Sequence, residues 1–112
     1  MKKIFEKVNL VVPLEQRRFF NYFEDTVGEL KAMYRKFVLK NNDAEYIAPT
    51  SLEEECPVLP LYTEAIVDNI IFLAGQGQEA NYKSEFMRKA REAYLAYWTE
   101  DAKGRRIRKV NW

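Results

Sequence analysis

Histidine is absent from this chain, and cysteine occurs once, at Cys56. Without histidine, the side chain that titrates nearest neutral pH is missing, as is the commonest protein metal ligand. Histidine-dependent triads and histidine-bound zinc sites are thereby excluded. One cysteine cannot form a disulfide within the chain, and a reducing compartment is its simplest setting. Cys56 lacks a neighbouring base and precedes Pro57, so it reads as an incidental or buried thiol and not as a nucleophile. Ser51 and Ser84 have no histidine to activate them. Glycine is scarce, and Gly75-Gln76-Gly77 lacks the rest of a phosphate-cradling signature. No run of about eighteen apolar residues exists, so no membrane-spanning helix is expected. Lys2, Lys3, Glu6, Lys7 and Asn9 break up the N-terminal stretch, which argues against a signal peptide. Carboxylate or lysine acid–base chemistry is left formally open. Still, the carboxylates fall at spacings typical of a wet helix face, and Glu53-Glu54-Glu55 reads as a solvated run and not as a cation site. The expectation is a protein that is not an enzyme and has no cofactor and no metal.

What is present is charge of both signs and aromatic residues. Lysine and arginine number 18, aspartate and glutamate 17. The balance hides an asymmetry. Lys103, Arg105, Arg106, Arg108 and Lys109 stand against Glu100 and Asp101 in residues 100–112, a local charge of about +3 on an otherwise mildly acidic chain. With 112 residues the chain makes one domain with a modest core.

The clearest pattern is in residues 59–98. Pro60 suits a first helical turn, and Tyr62, Ile66, Asn69/Ile70 and Leu73 form a stripe at helical spacing. With Val67, Ile71 and Phe72 this helix is apolar around most of its surface, which predicts a central position or a second chain on its far side. Asp68 interrupts it, inviting either a basic partner from elsewhere or an exposed edge. Gly75 is a candidate left-handed terminator. Gln76-Gly77 then reverses the chain into a helix over about 78–100, whose inner stripe is Tyr82, Phe86, Ala90, Ala93/Tyr94 and Tyr97. Ala90 and Ala93 permit close approach, and Glu85 and Lys89 are spaced to pair.

Upstream, Phe19, Phe20, Phe23, Val27, Leu30 and Tyr34 mark a helical stretch within 14–39, with Gly28 a point where it could divide. Its end, 34–39, could also be a strand. Leu10-Val11-Val12 before Pro13 suits a strand or an extended arm, which either folds onto its own core or packs on a neighbour. Residues 40–58 read as a long irregular loop. Ser51 and Glu54 there have the spacing of a capping box, and Pro57 limits any helix. Gly104 marks a break before the basic tail, where Trp112 has no partner in sequence. The fold class expected is therefore all-α: a bundle of three to four helices with an extended N-terminal arm, a long middle loop and a basic C-terminal tail over 100–112.

One resemblance can be named. Leu59-Pro60-Leu61-Tyr62, Ala65-Ile66-Val67-Asp68 and the 70–73 run carry it, followed by Tyr82-Lys83-Ser84-Glu85-Phe86, Arg88-Lys89-Ala90, Ala93-Tyr94 and Tyr97-Trp98. In their order these resemble the small helical head–tail connector (adaptor) proteins of tailed bacteriophages and prophages. Glu29-Leu30 to Tyr34 and the glutamate-rich loop before Pro57 are similar as well. The resemblance spans about three quarters of the chain and lies in the order of elements more than in fixed residues. It implies a homo-oligomeric ring of about a dozen subunits. That ring sits below the portal protein at the virion neck, after assembly in the host cytoplasm. It extends the DNA channel and offers a platform for neck and tail proteins. By position, Lys103, Arg105, Arg106, Arg108, Lys109 and Trp112 then become a portal-docking tail, and residues 40–58 an inter-subunit or channel loop. The alternative expectation is a small DNA-binding protein whose basic tail contacts phosphates without reading sequence.

Overall fold

The structure, a computed structural model, describes residues 1–34, 38–40, 46–75 and 80–105, with 98–105 as helical backbone only. Four helices account for most of it: α1 (Lys2–Asn9), α2 (Gln16–Met33), α3 (Thr63–Ala74) and α4 (Ala80–Arg105), with a 3-10 turn at Pro60–Tyr62 leading into α3. There is no β-sheet among the described residues; a single antiparallel bridge joins Leu39 to Val58. The all-α bundle expected from the periodicity is the fold observed.

α3 is its axis. Every residue from Ala65 to Ile71 is buried, so the helix has no wet face over two turns. Such a helix requires neighbours on all sides, and α4, α2 and α1 each pack against it. The α4 wall is built from Phe86, Ala90 and Ala93, all buried; the two alanines let the backbones close up. Phe72 lies by Lys83, Asp68 by Lys89 and Tyr62 by Tyr94, so the two helices run antiparallel. α2 contributes Phe19, Phe23, Val27 and Leu30, one continuous stripe at three- and four-residue spacing.

The N-terminus departs from the expected extended arm. Residues 2–9 are helical because Ile4 and Val8, one turn apart, supply an apolar stripe that docks on the core, with Phe5 edge-on to Phe19 at 5.1 Å between ring centres. Leu10-Val11-Val12 is the turn that ends α1. Leu10 keeps helical dihedrals, and the Val11 and Val12 amides both donate to the Val8 carbonyl. Asn9 fastens this corner: its amide nitrogen donates to the Phe5 carbonyl, and its oxygen accepts the Leu14 amide at 2.8 Å. A β-like triplet is thus overridden by the tertiary contacts of the residues before it.

Other details differ too. α2 does not divide at Gly28, since a single glycine costs a helix only about 1 kcal/mol. Gly75 caps α3 with φ −85° and ψ 10°, outside the left-handed region, its amide donating to Ile71. Ser51 and Glu54 form a turn and no helix: the Glu54 carboxylate accepts from the Thr50 amide and hydroxyl. Those contacts, the Thr50 amide first, hold the Glu54 carboxyl below the usual range. α4 runs through Gly104 to Arg105, past the expected break. The Gln76-Gly77 reversal lies outside the described residues.

Gly28 is exposed, and a methyl group added there would meet nothing within 4 Å. Gly28→Ala should therefore stabilise the protein by about 0.5–1 kcal/mol through the unfolded chain's lost freedom. A higher urea midpoint with an unchanged slope would register this.

Candidate interaction surface

The chemistry-bearing side chains of the interior are engaged with one another. Asn69 is fully buried in the middle of α3. Its amide nitrogen donates to Thr26 Oγ1 at 2.9 Å and to Glu29 Oε2 at 2.8 Å, both on α2. Its oxygen accepts from Lys83 Nζ of α4 at 3.1 Å, and Lys83 also bonds Glu29. Thr26 passes its own hydroxyl proton to the Tyr22 carbonyl. Asp68, the residue before Asn69, takes the Lys89 ammonium at 2.6 Å. The basic partner anticipated for Asp68 is thus Lys89, and the expected Glu85–Lys89 pair gives way to it. Glu85 pairs with Arg88, which also binds Glu92 on the wet face of α4.

The titration behaviour follows from these contacts. The hydrogen bond to Asp68 raises the Lys89 ammonium above its ordinary value. Tyr62 is wholly buried, and its hydroxyl has no hydrogen-bond partner among the described residues; burial, then the neighbouring Tyr34 and Tyr94, drives its pKa upward. Burial likewise pushes Tyr46 up to about 12. Cys56 is half-buried and its thiol is raised by desolvation, which favours the unreactive protonated form. A cleft of about 550 Å³ opens between the start of α1 and the middle loop, with Lys2, Lys3 and Lys40 facing Glu53, Glu54 and Glu55. These charges oppose one another across it, and no group of three or more metal-ligating side chains occurs among the described residues. Pro57 and Pro60 frame Val58, a core residue bridged to Leu39, so this stretch feeds α3 instead of presenting a free proline motif.

The groups of the polar seam are taken up by one another, so the outer surface is the candidate for function. Leu10 is 86% exposed and Val11 54%, while Met87 and Leu95 on α4 are 46% and 48% exposed. Of the residues singled out in sequence, Lys103 and Arg105 fall on the last turns of α4. Arg106, Arg108, Lys109 and Trp112 lie outside the described residues. Met87 and Leu95 fall outside the inner stripe of α4 that the periodicity marks. The signal available was their offset from the Tyr82–Phe86–Ala90 stripe. No family model, curated protein or solved structure matches the chain.

Asn69→Ala should destabilise the fold by about 2–4 kcal/mol, because it strands Thr26, Glu29 and Lys83 and leaves a cavity. Chemical denaturation measures the loss. Stability should also fall with alkali. Lys89, Tyr46 and Tyr62 all have folded-state values above their ordinary 10.5, 10.0 and 10.0. Their contributions are therefore complete below about pH 10 and are lost as pH rises through the folded-state values. Guanidinium midpoints should begin to slip as pH passes about 9, where the thiol of Cys56 ionises more readily in the unfolded chain than in the fold, and drop steeply above 10.5, with Tyr62→Phe reducing the drop.

Proposed function

We propose that this chain is a structural subunit of a tailed-phage particle, a ring-forming head–tail connector that docks below the portal protein. In that role it extends the DNA channel and gives neck and tail proteins a platform. The observation that carries the reading is the overhang of α4. α3 spans 12 residues and α4 26. Beyond Tyr94, where α4 stacks on Tyr34 at 4.4 Å beside Tyr62, the helix continues for roughly 16 Å to Arg105. Lys103 and Arg105 thus fall in the last turns of this helix. Cations also suit the C-terminal end of a helix. The exposed apolar side chains at Leu10, Val11, Met87 and Leu95 give the same support, since assembly would bury them.

A second reading draws on the same clustered charge. The arm would grip duplex phosphates, with affinity that falls steeply with salt. The two readings separate experimentally. Electron microscopy of the protein mixed with its portal should show added ring density on the portal. Replacing Lys103, Arg105, Arg106, Arg108 and Lys109 with glutamine should abolish that density while leaving helix content intact. A protein that stays monomeric at high concentration and with the portal present would contradict the connector reading. Salt-dependent duplex binding whose slope falls in the same variant would favour the second.

A further inference from the structure

We propose that the end of α4 from Tyr94 onward is a latch that opens separately from the rest of the bundle, and that the buried hydroxyl of Tyr62 biases it toward opening. This is independent of the connector reading. Tyr62 ends the 3-10 turn that leads into α3, and α4 packs over that turn. The Tyr62 side chain is fully buried, and its hydroxyl has no hydrogen-bond partner among the described residues. Tyr34 and Tyr94 are its neighbours, and they stack on each other with ring centres 4.4 Å apart and planes 15° from parallel. The stack covers the Tyr62 side chain without satisfying its oxygen. Such a hydroxyl carries the full penalty of losing water, and lifting the cover returns water to it.

The inner half of α4 is fastened differently. Phe86, Ala90 and Ala93 are buried there, Lys83 is bonded to Glu29 and Asn69, and Lys89 is bonded to Asp68. All of these fastenings precede Tyr94 in the chain. Opening from Tyr94 onward therefore hydrates Tyr62 while the polar seam and the Asp68–Lys89 pair stay closed. Unwinding as far as Lys89 would strand the buried Asp68 carboxylate, so the opening has an inner stop at that turn. Local opening of this kind draws on the least stable part of a fold and leaves its centre intact. The segment released includes the last turns of α4, with Lys103 and Arg105.

Amide hydrogen exchange of the full chain, read residue by residue by NMR, tests this. In the wild-type protein the amides of residues 94–97 should exchange about tenfold or more faster than those of 86–90. Tyr62→Phe keeps the ring and removes the hydroxyl, and should slow exchange at 94–97 by about tenfold. Tyr46→Phe is the matched control. It removes the other buried hydroxyl without a partner among the described residues, which lies by Glu24 and Lys31 of α2, and should leave the rates at 94–97 unchanged. Equal wild-type rates at 94–97 and 86–90 overturn the latch. Rates at 94–97 that do not respond to Tyr62→Phe, or that slow as much in Tyr46→Phe, overturn the role of the Tyr62 hydroxyl.

Discussion

Burying α3 on every side is the constraint from which the rest of the bundle follows. Seven consecutive residues leave water, and two of them, Asp68 and Asn69, are polar. An unsatisfied amide or carboxylate in that position would cost several kcal/mol, enough to cancel much of a small domain's stability. Asn69 answers with three bonds to two helices, and Asp68 with an ammonium from α4. Because those partners sit at single positions, a one-turn slip of α2 or α4 would strand them. Hydrophobic contact alone would tolerate such a slip more readily, so the polar seam sets the register that the apolar stripes leave loose.

The same constraint explains the exterior. α2, α4 and α1 are recruited as walls, and each keeps one face turned outward. α4 outruns α3, and its helix continues past the Tyr34–Tyr94 stack to Arg105. α1 is only eight residues long, and the corner that ends it leaves Leu10 and Val11 exposed.

Much of this was legible in residues. The all-round apolarity of the Ile66 to Phe72 stretch required a central helix, and the alternation of aromatics and alanines from Tyr82 to Tyr97 required a partner lying against it. Asp68 announced a basic partner without naming it. Lys89 could not be distinguished from Lys83 by spacing, because both face α3 and only the crossing of the helices decides which reaches which. Ile4 and Val8 were too few to read as a helix beside the more conspicuous Leu10-Val11-Val12. A helix of two turns is marginal in isolation and exists here because the core receives it.

Sequence by itself determined the fold class, the central helix, the long loop and the placement of positive charge at the C-terminal end. These depend on periodicity and composition, which are local properties of the chain. Only the tertiary structure decided that the N-terminus is a helix, that Asn69 joins α2 to α4, and that Glu85 forgoes Lys89 for Arg88. Each of those outcomes depends on distances between residues far apart in the chain, and periodicity carries no information about them.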